Sequence, residues 1–261
     1  MLAEIHRKIS SNGSNLSDRL EDKLTGDFFG ALRYLPFHQG FKSILSAAEF
    51  TDPATQNSWL SLIGQLKDYE VDIDFWSRHE EGEIDLILQC LNALIGVEVK
   101  YLSGLSSDDE EDEQAIDYTE SRNQLARYSR MLERLSNKQP AYLLFLAPFH
   151  IMNAVKKSVL DRPIISPAVS LGFLCWEDLF SALSQIDTTK LDKGQALIID
   201  DLKALLTKKN LIRFKGFNLP AGKKPLNDVA YTFQSAPVIQ QTNWAWPAKE
   251  IKEEHYYDFN D

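Results

Sequence analysis

The chain has 261 residues, of which 44% are hydrophobic and 25% are charged, and its net charge at pH 7 is −10. This composition is ordinary for a globular protein and is sufficient for one well-cored domain with extensions. No apolar run approaches the roughly 20 residues that span a bilayer, and the N-terminus lacks the apolar core of a signal peptide, so we predict a cytoplasmic protein without membrane partners.

The first half of the chain predicts two helices after a polar lead-in at 1–16. Apolar residues at helical spacing predict the first helix, which starts at Ser17 and ends before Pro36. A second helix is predicted from Pro53 to about Leu66, with Trp59 and Ile63 on its buried face. We predict that residues 17–215 form the domain and that 216–261 is an irregular extension packed on it.

Alternation of apolar and polar residues then predicts a three-stranded meander at about 71–76, 83–90 and 93–101. A loop at 106–121 separates this meander from the remaining elements. Those elements are predicted as a helix at 118–137, a strand at 141–147, a helix at 151–160, a strand at 171–176, a helix from 177 and a helix at 191–210.

Three charged residues, Asp85, Glu98 and Lys100, lie in these apolar strands, where they cost free energy unless they are paired. Two-residue turns at 81–82 and 91–92 place all three on one face, with Asp85 opposite Glu98, because opposite residues share a face. The same pairing puts Ile84 on the apolar face and Trp76 on the charged face. Sliding the second turn by one residue preserves these faces, whereas a bulge or an odd-length loop changes them.

The paired carboxylates predict a site for a divalent cation. Neighbouring carboxylates repel each other unless a cation lies between them, and oxygen ligands favour Mg²⁺ or Mn²⁺ over Zn²⁺. A cation in this position can activate water for attack on phosphorus, and Lys100 can stabilise the developing charge.

The motifs Gly82-x-x-Asp85, Glu98-x-Lys100 and Gln124-x-x-x-Tyr128 resemble the PD-(D/E)XK superfamily of restriction-type nucleases, especially its RecB-like and lambda-exonuclease-like branch. The resemblance implies an α/β fold with a restriction endonuclease-like αβββαβ core, in which helices flank a mixed sheet. It also implies that Asp85 and Glu98 bind the metal and that Lys100 is catalytic. Ile84 replaces the proline that gives the family its name.

The same resemblance implies further residues at the site. Glu21 is similar to the acidic residue that many members contribute from their first helix to the metal, with Asp22 and Asp27 as competitors. Gln124 and Tyr128 share a helix face and are expected to line the site.

The loop at 106–121 contains eight acidic and no basic residues, so it accounts for all but two of the net negative charges. It is either a solvated segment or a nucleic-acid mimic that occupies a basic groove until a partner removes it. Two basic groups are candidate nucleic-acid contacts. They are an arginine stripe of Arg122, Arg127, Arg130 and Arg134, which can instead pair with the acidic loop, and the residues Lys208 and Lys209, which can instead favour a helix C-terminus.

Together these patterns predict a Mg²⁺- or Mn²⁺-dependent nuclease acting on DNA. We also predict a protein partner or a homo-oligomer, because the chain outside the acidic loop is nearly neutral and supplies little affinity for DNA. By analogy, compact nucleases of this type belong to bacterial antiphage or DNA-processing systems. A nuclease that acts on RNA and a non-catalytic scaffold subunit with a nuclease fold remain alternatives.

Overall fold

The computed structural model describes residues 16–68, 70–90, 92–109 and 117–213. The predicted lead-in, the C-terminal extension and the centre of the acidic loop lie outside these ranges. The helices are α1 (Leu16–Leu32), α2 (Phe41–Leu45), α3 (Pro53–Gln65), α4 (Gln124–Leu135), α5 (Phe149–Val159), α6 (Trp176–Ser184) and α7 (Lys193–Lys208). The strands are β1 (Glu49–Phe50), β2 (Asp72–His79), β3 (Gly82–Cys90), β4 (Ala93–Val99), β5 (Ala141–Ala147) and β6 (Val169–Cys175).

The strands form a six-stranded mixed sheet in the order β1-β6-β5-β4-β3-β2. The meander β2-β3-β4 is antiparallel, β4, β5 and β6 are parallel to one another, and β1 is antiparallel to β6. The parallel half is buried on both faces, as its continuous apolar sequences require. The fold is therefore α/β, with a mixed central sheet flanked by helices as predicted.

Helices cover the sheet on both sides, which creates two apolar cores. Helices α1, α2, α3, α6 and α7 pack on one face, and α4 and α5 pack on the other. The sequence predicted a core on the first face only. The second core contains Leu125 and Leu132 of α4 packed with Phe145 of β5. No helix within the described residues is long and apolar enough to cross a membrane.

Most predicted elements agree with the structure, and the differences are local. The strand at 141–147 has the predicted bounds, and α3 starts one residue after its N-cap Asp52, whose side chain accepts a hydrogen bond from Thr55 N. Helix α4 begins at Gln124 instead of 118, because the side chain of Asn123 caps it by accepting from Leu125 N. Two short elements, α2 and β1, were not predicted.

The meander has the predicted second turn and a different first turn. Cys90 pairs with Ala93, which is the register that the predicted second turn requires. His79 pairs with Gly82, so the first turn is at 80–81 and not at 81–82. This shift moves the pairing by two positions and preserves which residues share a face.

A local distortion of the backbone nevertheless accompanies an exchange of two side chains between the faces. Trp76 has a positive φ of 50° and is not among the paired residues of β2 and β3, although the register is the same on both sides of it, in the pairs Phe75↔Leu86 and Ser77↔Ile84. Trp76 therefore packs in the first core and Ile84 in the second, the opposite of the predicted arrangement.

Gly96 permits α4 to lie close to the sheet beside the charged end of β4. A Cβ atom at this position would be 2.7 Å from Cδ1 of Ile84 and 2.7 Å from Cδ1 of Leu132. A side chain at this position would therefore require the ends of the Ile84 and Leu132 side chains to move. The glycine thus lets these two side chains pack directly over the strand that contains Glu98.

Candidate active site

The predicted site residues line one cavity of about 370 Å³ at the end of β4. The lining residues are Glu21, Asp22, Glu83, Asp85, Glu98, Lys100, Ser103, Gly104, Leu105, Ser106, Gln124 and Tyr128. Five of them are acidic and one is basic. Residues far apart in the chain thus form a strongly acidic cavity around one lysine.

Glu98 is the most buried carboxylate in this cavity, and two side chains fix its position. Its Oε1 atom is 2.8 Å from Nζ of Lys100 and accepts a hydrogen bond from Nε2 of Gln124 at 2.6 Å. Burial raises the pKa of Glu98, and the ammonium of Lys100 opposes that shift. The predicted proximity of Gln124 to Glu98 is therefore present in the structure.

Lys100 bridges the strand to the first helix, because its ammonium also lies 3.1 Å from Oε1 of Glu21. The second oxygen of Glu21 accepts hydrogen bonds from Tyr101 N at 2.8 Å and from Oγ of Ser103 at 3.0 Å. Burial acts to lower the pKa of Lys100, but the charges of Glu98 and Glu21 outweigh it and raise that pKa above its usual value. Lys100 is therefore a charged donor and not a proton acceptor in this arrangement.

Asp85 is the second carboxylate of the predicted pair, and its Oδ2 atom accepts a hydrogen bond from Val99 N at 2.8 Å. The pKa of Asp85 is raised well above its usual value, first by burial and then by the charge of Glu98. The register of β3 and β4 and this hydrogen bond bring the two carboxylates to the same end of the sheet. They repel each other, as the sequence predicted.

Tyr128 closes the cavity on the side of α4. Its hydroxyl accepts from Nε2 of Gln124 at 3.1 Å and donates to the carbonyl oxygen of Glu83. Gly82, at a φ of 138°, permits this contact, since a Cβ atom there would be 3.2 Å from Cε1 of Tyr128. Burial raises the pKa of Tyr128 to about 12, so the phenol remains protonated at neutral pH.

The donor set of Asp85 and Glu98 fits a divalent cation in its chemistry. Both are carboxylates, the ligand type that Mg²⁺ and Mn²⁺ prefer, and a cation between them would relieve their repulsion. Within the described part of the chain, no group of three or more His, Cys, Asp or Glu side chains is arranged to hold a metal ion. Glu21 is directed to Lys100, Tyr101 and Ser103, which explains why the predicted three-carboxylate set is not assembled.

The candidate nucleic-acid contacts divide into residues with internal partners and residues without them. Arg130 donates to Glu81 and to the carbonyl oxygen of Ser121, and Arg134 also pairs with Glu81. The two ion pairs attach α4 to the β2–β3 turn, and the hydrogen bond to Ser121 also attaches Arg130 to the backbone at the end of the acidic loop. Arg122 precedes α4 and is exposed, so the predicted stripe is not continuous along one helix.

Arg127 and Lys209 differ from these two arginines. The guanidinium of Arg127 lies 5.9 Å from the ring centroid of Tyr128, and among the described residues its Nε has no hydrogen-bond partner and no carboxylate lies within 4.0 Å of it. The ammonium of Lys209 lies 5.0 Å from the ring centroid of Tyr101, next to Lys100 in sequence. Lys208 is exposed in the last turn of α7.

No protein-family model, no curated protein and no solved structure matches this chain. The function therefore has to be inferred from the chemistry of the cavity.

Several residues at the site carried no signal in the sequence. Ser106 N donates to Oε1 of Gln124 at 2.9 Å, and Nε1 of Trp176 donates to the carbonyl oxygen of Lys100 at 2.9 Å. A backbone amide and a tryptophan 76 residues away form no recognisable spacing with the motif. Asp22, the predicted competitor of Glu21, also lines the cavity.

Proposed function

We propose that this protein is a divalent-metal-dependent nuclease that hydrolyses phosphodiester bonds in DNA, with a restriction endonuclease-like core of the PD-(D/E)XK type. The observation that carries the proposal is the open cavity in which Asp85 and Glu98 repel each other beside the ammonium of Lys100. A purely structural ion pair has no need of a second buried carboxylate or of a cavity.

Each residue has a role that follows from its contacts. Asp85 and Glu98 would hold the cation, which when bound supplies Lewis-acid activation of water and of the phosphoryl oxygen. Lys100 places a positive charge where negative charge develops on the phosphate during water attack. Glu21 orients Lys100, and Gln124 orients the carboxylate of Glu98 by donating to Oε1.

Two other functions are compatible with the fold. A scaffold subunit would use the same sheet without chemistry, but it offers no reason to bury two repelling carboxylates at the end of β4. An RNA-directed nuclease would use the same site, and the described residues contain no feature that distinguishes the two nucleic acids.

The proposal is tested by incubating the protein with plasmid, linear and single-stranded DNA and with RNA, in the presence of Mg²⁺, Mn²⁺ or EDTA. We expect metal-dependent cleavage of DNA by the wild type and none by Asp85→Asn. Cleavage of RNA but not of DNA would show that the substrate is RNA. Inactivity on every substrate, together with a failure to bind Mn²⁺, would favour the scaffold function.

Arg127 provides a test of nucleic-acid binding that is separate from the chemistry. Its guanidinium has no carboxylate partner in the described ranges, so we expect it to contact a phosphate. Arg127→Ala should weaken DNA affinity equally for all sequences and reduce the slope of log K against log salt by about 1. Fluorescence anisotropy in EDTA measures both quantities without cleavage.

Arg134→Ala is the matched control for this measurement, because Arg134 lies on the same helix and pairs with Glu81. We expect its salt slope to equal that of the wild type. If Arg127→Ala and the wild type had equal slopes of log K against log salt, Arg127 would not contact the nucleic acid.

A further inference from the structure

Three charged residues outside the cavity form a second ionic group, in which the side chain of Asp109 is buried and that of Asp108 is 44% exposed. Arg162, in the turn after α5, places Nη1 2.9 Å from Oδ1 of Asp108 and Nη2 2.6 Å from Oδ2 of Asp109. The side chain of Asp109 is only 1% exposed, and that of Arg162 is 20% exposed. We name Asp108, Asp109 and Arg162 the clasp. It corrects the prediction of a solvated acidic loop for Asp109, which is buried and paired.

The clasp joins the two ends of the acidic loop to each other. Asp109 accepts hydrogen bonds from Oγ of Ser121 and from Arg122 N, both at 2.6 Å. Asp108 accepts from Nδ2 of Asn123 at 2.8 Å, and Asn123 is the N-cap of α4. Residues on both sides of the segment 110–116 are thereby fixed against the start of α4.

The segment fixed in this way reaches the carboxylate of Glu98 through Gln124. Ser106 N donates to Oε1 of Gln124 at 2.9 Å, and Gln124 N donates to the carbonyl oxygen of Ser107 at 3.1 Å. The amide oxygen of Gln124 is thus held by the loop, which leaves its Nε2 directed at Glu98. Four consecutive residues, 106–109, therefore connect the clasp to the site.

We propose that Arg162, Asp108 and Asp109 are positioning residues of the candidate active site, which act through Ser106 and Gln124 on the carboxylate of Glu98. Buried charges of this kind are costly unless they are paired, so removal of Arg162 releases Asp109 and with it the loop. The positioning role proposed for the clasp rests on the proposed nuclease function only in the experiment that measures catalytic rates. Its structural part, the position of Gln124, is independent of the reaction.

The clasp also changes how the acidic loop has to be tested. A deletion that starts at Asp108 removes the clasp together with the charges and displaces Gln124. A deletion confined to 110–113 removes four acidic residues and retains both aspartates. Only the shorter deletion tests whether the loop acts as a nucleic-acid mimic.

The first experiment measures amide hydrogen exchange in the metal-free protein. In Arg162→Ala we expect faster exchange at Ser106, at Gln124 and at the side-chain amide of Gln124, with β5 unchanged. Asp109→Asn keeps the shape and loses only the charge, so it gives the same test if Arg162→Ala does not fold. Arg134→Ala is the control and should leave these amides unchanged. Unchanged exchange at Ser106 and Gln124 in both clasp variants would overturn the proposal.

The second experiment measures cleavage. We expect kcat to fall about 10-fold in Arg162→Ala with KM unchanged, a size typical of residues that orient a metal ligand. Arg162→Lys should restore part of the rate, because lysine keeps the charge without the paired donors. In a Gln124→Ala background, Arg162→Ala should have little further effect. If the reductions of kcat caused by Arg162→Ala and Gln124→Ala multiplied fully in the double variant, the clasp would not act through Gln124. A wild type without activity would refute the proposed function, and the exchange result would still decide on the clasp.

Discussion

Lys100→Met is expected to abolish most catalysis, with kcat reduced about 100- to 1000-fold, the loss typical of removing one preorganised donor to a developing negative charge. The ammonium of Lys100 is the one positive charge among the residues that line the cavity, and it lies within hydrogen-bond distance of both Glu21 and Glu98. Within the described ranges, no second cation lines the cavity to replace it. Single-turnover cleavage with Mg²⁺ measures the chemical step directly.

This substitution also leaves two buried carboxylates without their partner, which by itself costs about 3–5 kcal/mol of the free energy of unfolding. The double variant Glu21→Gln/Lys100→Met removes one of these charges and is expected to regain part of that stability. It should remain inactive. If the folded double variant cleaved DNA at a rate close to that of the wild type, Lys100 would have no catalytic role.

Arg78→Ala is a suitable control for the loss of a positive charge. Arg78 pairs with Glu83, is 83% exposed and does not line the cavity. Exposed pairs contribute at most about 1 kcal/mol. We expect its rate and its unfolding free energy to match those of the wild type.

Asp85→Asn is expected to have opposite effects on stability in the absence and in the presence of metal. In the metal-free protein it removes a carboxyl group whose ionisation is opposed by burial and by the charge of Glu98, and an asparagine oxygen can still accept the hydrogen bond from Val99 N. The metal-free variant should therefore melt at a higher temperature than the wild type. Differential scanning fluorimetry in EDTA measures this difference.

With Mn²⁺ the order should reverse. A cation that binds only the folded state at a concentration about 100 times its dissociation constant adds about 2.7 kcal/mol. For a chain of this size that corresponds to an increase of about 5–10 °C in the melting temperature of the wild type. Asp85→Asn should show no such increase, because one of the two carboxylate ligands is gone.

Asp72→Asn removes an exposed acidic residue at the start of strand β2 and serves as the control for general charge effects. Its melting temperature should respond to Mn²⁺ as that of the wild type does. Equal responses of Asp85→Asn and the wild type would place the cation elsewhere. Without any response in the wild type, the metal-dependent function itself would be refuted.

The sequence was sufficient to predict the meander, the location of Asp85 and Glu98 in one site, and the shared face of Gln124 and Tyr128. These features depend on local periodicity, which a single chain displays directly. The same periodicity could not reveal the backbone distortion at Trp76, because the alternation of residue types in β2 and β3 continues through it. It also could not predict the second core, because local alternation does not show which face of the sheet each helix covers.

The order of charged and apolar residues along the strands thus determined that carboxylates and a lysine meet at the end of β4. Only the tertiary structure decided that Glu21 holds Lys100, that Arg130 and Arg134 pair with Glu81 while Arg127 does not, and that Arg162 fixes the acidic loop. Each of these is a contact between side chains brought together by packing of α1, α4 or α5 on the sheet. Sequence spacing carries no information about such contacts, because their free energy depends on burial and distance in the folded chain.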